Sequence, residues 1–218
     1  MSIEKALVIG AGSGVGKATA GALRSAGVEV WASGRDRDAT DPAHAADLLA
    51  EADPDLVVVA AGTRPRMASI DAQSWESFSA PWNVDVKLAF EVGRAVLARP
   101  LRPGSTVVIV SSGAGANPNG SPMSGGYAGA KRMQMFLAGY FQRAADARDL
   151  GIRFVAVAPM QFLVGTRIGE AAVAAYGEGT WPVPLDPDGV ARAIVSVATG
   201  EEHGGATVGV TGAGLKVI

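Results

Sequence analysis

The chain has 218 residues, 48% hydrophobic and 18% charged, and its formal net charge is −2. This composition suits one folded domain with a substantial core, and the slightly acidic balance argues against nucleic acid as a partner, because phosphate binding requires a basic surface. Cysteine is absent and only two histidines occur, which excludes disulfides, iron–sulfur clusters and thiolate zinc sites and makes any metal site unexpected.

Short apolar runs alternate with longer helix-like stretches along the chain. Strands are predicted at 6–9, 28–32, 56–60, 106–110, 153–158 and 206–210, and helices at 17–26, 42–52, 82–98, 127–148 and 187–199. Continuous β-branched runs are typical of a parallel sheet buried on both faces, and their alternation with helices indicates βαβ units. We therefore predict one α/β domain over residues 1–218, with a doubly wound, mostly parallel sheet and helices on both faces.

Membrane and export signals are missing from the sequence. No stretch approaches the ~20 uninterrupted apolar residues of a membrane span. The N-terminus has no charged leader followed by a long apolar run and a cleavage site. We therefore expect a cytoplasmic protein with no membrane partner.

The first predicted strand is followed by a glycine-rich turn, "GAGSGVG" at 10–16, which opens the first helix. Glycines at such a turn let the backbone approach a pyrophosphate, which the free N–H groups and the dipole of the helix stabilise. The spacing of Gly10, Gly14 and Gly16 is G-x-x-x-G-x-G, and not the general G-x-G-x-x-G. The turn predicts a dinucleotide site; a tight turn without a ligand is the alternative.

The residues after the second strand bear on the choice of cofactor. An acidic residue at this tip would bind the ribose 2′-hydroxyl of NAD, whereas an arginine accommodates the 2′-phosphate of NADP. Gly34 occupies the tip and Arg35 follows it, with Arg37 close by. NADP(H) is therefore predicted, with NAD(H) as the alternative. The loop could instead be merely solvated, since Asp36 and Asp38 partly neutralise the arginines.

Tyr127 and Lys131 stand four residues apart, after a strand that ends in Ser111 and Ser112. A spacing of four places the two side chains on one face of a helix. A lysine cation beside a phenol favours the phenolate, which allows proton exchange near neutral pH. This pattern predicts acid/base chemistry at Tyr127.

With its glycine turn, its paired serines and its Tyr-x-x-x-Lys spacing, the chain resembles the short-chain dehydrogenase/reductase family over nearly its whole length, as a shortened member. The resemblance implies a Rossmann-type fold, an NAD(P)-dependent oxidoreductase and a homodimer or homotetramer. It makes Tyr127 the acid/base, Lys131 its partner and a ligand of the nicotinamide ribose, and Ser112 the ligand of the substrate oxygen, with Ser111 as a substitute. The implied cofactor-binding residues are Gly10, Ser13, Gly14, Val15, Gly16, Arg35, Asp38, Ala61, Gly62, Lys131, Val164 and Thr166.

The sequence departs from the family pattern in three places. The family's Asn-Asn-Ala-Gly turn reads "VAAG" at 59–62. The helical asparagine that supports proton relay is replaced, with Asp85 at the aligned position and Asn83 as the match after a local shift. Only about 26 residues separate Arg35 from Gly62, about half the usual number. We expect the loss of one helix here, with at most a vestigial strand, and a more open adenine side.

The segment at about 160–184 is expected to be a loop that covers the substrate. Met160, Phe162, Tyr176 and Trp181 would line a largely apolar pocket, although each could belong to the core. The first hypothesis is an NADP(H)-dependent carbonyl reductase or alcohol dehydrogenase acting on a small or medium apolar substrate. A cofactor-retaining isomerase, epimerase or dehydratase on the same fold is the second, and a non-catalytic nucleotide-sensing protein is the third.

Overall fold

The structure, a computed structural model, describes residues 3–34, 37–118, 122–177, 184–200 and 205–218. The strands within these ranges are β1 (Lys5–Ile9), β2 (Glu29–Ser33), β3 (Leu56–Val59), β4 (Thr106–Val110), β5 (Arg153–Pro159), β6 (Thr207–Thr211) and β7 (Gly214–Val217). They form one sheet in the order β2-β1-β3-β4-β5-β6-β7. All neighbouring strands are parallel except β6 and β7.

Helices cover both faces of this sheet. They are α1 (Gly14–Ser25), α2 (Pro42–Ala52), α3 (Trp75–Pro81), α4 (Lys87–Ala98), α5 (Gly113–Ala116), α6 (Gly125–Asp146), α7 (Arg167–Tyr176) and α8 (Pro187–Thr199), with a π-helical segment, Trp82–Val86, between α3 and α4. Apolar residues of α2, α4 and α6 form the core on one face, and those of α1 and α8 form the core on the other. The predicted Rossmann-type α/β fold is confirmed.

The shortened segment after β2 agrees with the sequence expectation. Between Ser33 and Leu56 the described residues contain one helix, α2, and no strand, so that β2 is an edge of the sheet. Helix α2 has the predicted bounds because its start is well specified. Pro42 occupies the first turn, and the Asp41 side chain accepts a hydrogen bond from the Ala43 N–H.

The predicted elements miss parts of the observed fold. The helix predicted at 82–98 is preceded by α3 and interrupted by the π segment, and the antiparallel strand β7 was not predicted. The segment predicted as a covering loop contains helix α7, which begins at a Thr166 cap. The Thr166 cap marks the start of this helix, but the glycines on either side of it, Gly165 and Gly169, disfavour a helix in the sequence pattern.

The parallel register aligns the strand ends that build the candidate site. Ile9 pairs with both Ser33 and Val59, and Val59 pairs with Ile109. The turns after β1, β3 and β4 therefore lie along one rim of the sheet. In the described part of the chain, no helix is long and apolar enough to cross a membrane. The same residues contain no cluster of histidine, aspartate and glutamate that could hold a metal ion.

Candidate active site

The glycine-rich turn brings three backbone segments into direct contact. A Cβ atom on Gly10, whose φ is +92°, would lie 2.4 Å from the Ala61 nitrogen, and one on Gly16 would lie 2.2 Å from the Gly10 carbonyl oxygen. The Gly10 N–H donates to Ser33 O at 2.8 Å, and the Ala61 N–H donates to Ile9 O at 2.9 Å. Glycine is therefore required at both positions, and the turns after β1 and β3 are locked together.

The same turn is open on its outer side, as a dinucleotide would require. A Cβ atom on Gly12 would have no neighbour within 4 Å. Ser13 caps α1 without a side-chain hydrogen bond, and the first N–H groups of a helix, here those of Gly14, Val15 and Gly16, have no partner within the helix. Free N–H groups at a helix N-terminus beside open space fit a pyrophosphate.

Other predicted cofactor residues lie at this rim or near it. Thr166 approaches Gly14, since a Cβ on that glycine would lie 3.6 Å from Thr166 Cγ2. The Thr166 hydroxyl is already engaged, because it donates to Leu163 O and accepts from the Gly169 N–H. Val164 is exposed, and its N–H donates to Leu185 O at 3.1 Å.

The adenine side is described only in part. Asp38 is exposed, and its Oδ1 accepts from the Thr40 N–H at 2.9 Å, a hydrogen bond that lowers the pKa of the carboxyl group. Arg35 lies outside the described residues. Arg37 forms a two-point ion pair with Glu51 of α2.

Helix α6 is held close to α3 and the π segment by a face of glycines. A Cβ on Gly126 would lie 2.1 Å from Phe78 O, and one on Gly129 would lie 3.3 Å from the Trp82 ring. Gly115 allows α5 to approach α6 as closely, since a Cβ atom on Gly115 would lie 3.1 Å from Lys131 Cβ. The small residues around Tyr127 therefore fix the position of the helix that carries it.

Tyr127 and Lys131 face the same buried space. Both side chains are largely buried, and Lys131 Nζ lies 5.5 Å from the centre of the Tyr127 ring. The structure therefore brings together the cation and the phenol that the sequence predicted as partners.

Three acceptors surround the Lys131 ammonium group. Asp85 Oδ2 lies 3.1 Å away, Gln134 Oε1 lies 3.0 Å away and Val110 O lies 3.4 Å away. Gln134 Oε1 and Val110 O accept hydrogen bonds from the ammonium group, whereas Asp85 Oδ2 forms an ion pair with it without a hydrogen bond. The lysine is thus held at the end of β4 by an ion pair and two neutral oxygens.

The charge on Lys131 is stabilised in spite of its burial. Burial by itself lowers the pKa of the ammonium group, but the carboxylate of Asp85, and after it the phenolate of Tyr127, act in the opposite direction. The net effect raises the pKa of Lys131 above its ordinary value. Lys131 therefore stays a cation throughout the neutral range.

The structure places Asp85, and not Asn83, beside the lysine. Asp85 is completely buried, whereas Asn83 is exposed. Asp85 Oδ1 also accepts from the Thr63 N–H at 2.7 Å, directly after Gly62. Asp85 thus links the turn after β3 to Lys131. Sequence analysis did not single out Thr63 or Gln134. The signal that could have found Gln134 is its position one helical turn after Lys131, on the same face of the helix.

The two serines at the end of β4 have different surroundings. The buried Ser111 hydroxyl donates to the Lys131 backbone oxygen at 2.7 Å, which occupies its proton. Ser112 is half-buried and caps α5, where its hydroxyl oxygen accepts from the Ala114 N–H at 3.3 Å. The cap at Ser112 therefore does not use the hydroxyl proton, whereas the proton of Ser111 is donated to the Lys131 backbone oxygen.

Tyr176, near the end of the segment that begins at Met160, connects this segment to the loops that contain Met123 and Ala68. The Tyr176 hydroxyl accepts from the Met123 N–H at 3.3 Å, and Met123 O accepts from the Ala68 N–H at 2.8 Å. Phe162 packs near Gly169 of α7, and Met160 packs against Gly209 of β6. Trp181 lies outside the described residues.

No protein-family profile matches the chain. Among curated proteins, the chain is 36% identical over 138 residues to an uncharacterized short-chain type dehydrogenase/reductase, y4eK, of Sinorhizobium fredii (strain NBRC 101917 / NGR234). The match covers 54% of this chain and 56% of that protein, so the chain spans about half the length of the curated relative it matches.

Solved structures match over nearly the whole chain. An oxidoreductase of the short-chain dehydrogenase/reductase family from Burkholderia thailandensis is 26% identical, with a TM-score of 0.79, over 97% of this chain and 92% of that one. A short chain dehydrogenase from Burkholderia cenocepacia J2315, in complex with NADP, shares the fold with a TM-score of 0.78 at 21% identity, over 96% of both chains. Together with the sequence match to the Sinorhizobium protein, these findings show that the chain is similar in sequence and fold to proteins of the short-chain dehydrogenase/reductase family.

Proposed function

We propose that the chain is an NADP(H)-dependent oxidoreductase that interconverts a carbonyl compound and an alcohol, with Tyr127 as its acid/base. The observation that carries the proposal is the pairing of Tyr127 with Lys131. The lysine cation lies 5.5 Å from the ring centre, in a buried space at the end of β4. A buried cation beside a phenol stabilises the phenolate and so prepares the tyrosine for proton transfer.

In the reduction, the chain binds the carbonyl oxygen and supplies its proton. The hydroxyl groups of Ser112 and Tyr127 donate hydrogen bonds to that oxygen and polarise the carbonyl group. A bound nicotinamide supplies the hydride to the carbonyl carbon. Tyr127 transfers its phenolic proton to the oxygen, and Lys131 stabilises the phenolate that remains. In the oxidation, the same phenolate accepts the proton of the alcohol.

Asp85 is assigned a supporting role in this chemistry. Its carboxylate holds Lys131 at 3.1 Å and the Thr63 N–H at 2.7 Å, and it has no exposed surface. It occupies the position at which the family carries an asparagine. Its negative charge partly offsets the lysine cation, so the site favours the phenolate less than an asparagine would.

The cofactor would lie along the rim from the glycine turn to Lys131. The turn that contains Gly10 and Gly16 would hold the pyrophosphate on its open side, and Arg35 is the candidate ligand of the 2′-phosphate. The other residues predicted for the cofactor are Ser13, Gly14, Val15, Asp38, Ala61, Gly62, Lys131, Val164 and Thr166. Residues 1–218 would form one NAD(P)-binding domain, in which residues at about 160–184 cover the substrate.

The preference for NADP is tested by titration with NADPH and NADH, followed by nicotinamide fluorescence. Arg35→Ala should weaken NADPH binding by about 1.5–3 kcal/mol, the value of a charged hydrogen bond, and leave NADH binding nearly unchanged. Arg37→Ala is the matched control, because the Arg37 guanidinium is held by Glu51. Equal losses for both cofactors would reject Arg35 as the 2′-phosphate ligand.

A non-catalytic nucleotide-sensing protein is the second candidate. It is favoured by the Lys131 ammonium group, which the protein already holds by two hydrogen bonds and an ion pair. Turnover separates the candidates: an oxidoreductase oxidises NADPH in stoichiometric amounts with some member of a panel of small apolar ketones and aldehydes, as followed by absorbance. A sensor binds NADPH and oxidises none of it, and a cofactor-retaining isomerase, epimerase or dehydratase changes its substrate without net loss of NADPH.

We further propose that the protein assembles as a homodimer or homotetramer through the outer face of α6. Phe136 and Tyr140 stack on this face at 6.0 Å, and both rings are more than half exposed. Trp82, which is 40% exposed, lines a surface groove together with Phe136. Aromatic rings grouped on a surface are typical of protein interfaces.

A further inference from the structure

Gln134 is a buried polar residue of α6 that the proposed mechanism leaves without a role. It lies three residues after Lys131, and its side chain has no exposed surface. Both the oxygen and the nitrogen of its side-chain amide form hydrogen bonds. Oε1 accepts from Lys131 Nζ at 3.0 Å, and Nε2 donates to the backbone oxygen of Asp85 at 2.9 Å. Gln134 thus connects the lysine to the π segment.

The two hydrogen bonds make the glutamine a rigid acceptor. The ammonium group of a lysine sits on a flexible four-carbon stem, and fixed acceptors are needed to hold it in one place. The bond from Nε2 to the backbone of Asp85 sets the orientation of the Gln134 amide, and therefore the position of Oε1. The carboxylate of the same Asp85 lies 3.1 Å from Lys131 Nζ, so the ring of contacts among the three residues closes through the backbone of Asp85.

Charge explains why an amide suits this position. The charged groups that act on Lys131 are Asp85 of the π segment and Tyr127 of α6, while Ser111 and Val110 present only neutral groups from β4. A second carboxylate would cancel the cation that the Tyr127 phenolate requires. A neutral amide oxygen holds the ammonium group and leaves its charge intact.

We propose that Gln134 is a positioning residue of the site, which fixes the Lys131 ammonium group beside Tyr127 by bridging it to the backbone of Asp85. The link from Lys131 to Tyr127 rests on the proposed function, whereas the bridge itself does not require turnover.

The test follows the ionisation of Tyr127 by ultraviolet absorbance of the phenolate during a pH titration of the protein without substrate. The chain has three tyrosines, and the signal that Tyr127→Phe removes identifies the one at the site. Gln134→Met keeps the side-chain length but removes both hydrogen bonds. It should move the midpoint of the Tyr127 signal upward, because the lysine cation is no longer held beside the ring.

Gln142→Met is the matched control. Gln142 lies two turns further along α6, accepts from the Phe154 N–H at 2.7 Å and donates to Ile152 O at 3.2 Å, so it is also bonded on both sides. It should lower stability without moving the Tyr127 midpoint. An unchanged midpoint in Gln134→Met, or equal shifts in both variants, would overturn the proposal.

Two further results keep this test separate from that of the proposed function. If Gln134→Met does not fold, Gln134→Asn keeps the amide but shortens the side chain by one methylene, so that it cannot span both partners, and it should shift the midpoint upward as well; no shift would overturn the proposal. With an active substrate, Gln134→Met should lower kcat about tenfold and move the pH profile in the same direction. A protein that lacks turnover contradicts the oxidoreductase, while the absorbance titration still decides the role of Gln134.

Discussion

The buried ion pair between Asp85 and Lys131 leads to a quantitative prediction for Asp85→Asn. The substitution removes the negative charge and keeps the size of the side chain. Lys131 then remains buried, at 7% side-chain exposure, with no carboxylate within reach among the described residues. Removing one partner of a buried ion pair costs about 3–5 kcal/mol, because the remaining charge is left uncompensated.

The lower end of that range is expected here. An asparagine retains an oxygen for the Thr63 N–H, and Gln134 Oε1 and Val110 O still accept from the ammonium group. A loss of about 3 kcal/mol corresponds to a fall in Tm of about 6–12 °C for a chain of this length.

The effect should depend on pH in a defined direction. The pKa of Lys131 is raised in the folded protein, so the ion pair stabilises the fold fully below the unfolded value of ~10.4 and loses this contribution as pH rises through the folded value. The difference in Tm between the native protein and Asp85→Asn should therefore be largest near neutral pH and shrink above about pH 10.4.

Thermal unfolding followed by circular dichroism measures this difference at pH 7 and at high pH. Glu91→Gln is the matched control, since it makes the same change in α4 to a carboxylate whose partner, Arg94, is 51% exposed. It should cost no more than about 1 kcal/mol. Equal Tm values for Asp85→Asn and the native protein at pH 7 would refute the account of the buried pair.

Four other changes test the packing of the helices, the surroundings of the site and the proposed interface. Gly126→Ala places a Cβ 2.1 Å from a backbone oxygen of α3 and should cost about 1–3 kcal/mol of unfolding free energy in denaturant titrations. Gly21→Ala, where nothing lies within 4 Å, should instead stabilise α1 by up to about 1 kcal/mol. Tyr176→Phe removes the acceptor of the Met123 N–H and should raise the KM for the carbonyl substrate about fivefold with little change in kcat; the reverse pattern would place Tyr176 in the chemistry. If the protein forms the proposed oligomer, Phe136→Asp should convert it to a monomer in light scattering after size exclusion, and an unchanged mass would remove this face from the interface.

Much of the sheet was predictable because its strands are continuous apolar runs. The residues of β3 and β4 are buried on both faces, which is the pattern that such runs predict. Helix α2 was also predictable, since Asp41 and Pro42 mark its start. By contrast, β7 is exposed along its whole length, and its four residues are too few to indicate a strand by their pattern.

The contacts of Lys131 could not be predicted from spacing alone. The π segment changes the number of residues per turn between α3 and α4, so a regular helical period does not decide whether Asp85 or Asn83 faces α6. In the same way, nothing in the pair "SS" indicates that the Ser111 hydroxyl binds the Lys131 backbone and leaves Ser112 free to donate. Spacing within one helix, as for Tyr127 and Lys131, was informative because both residues belong to the same regular element.

The most direct measurement of the central claim is NADPH oxidation by Tyr127→Phe with a carbonyl substrate that the native protein reduces. Loss of the phenolic proton donor should lower kcat by at least about 100-fold, while fluorescence titration shows unchanged NADPH binding. Tyr140→Phe, at the exposed tyrosine of the same helix, should retain the native rate. Native turnover by Tyr127→Phe would contradict the assignment of Tyr127 as the acid/base, and with it the proposed mechanism.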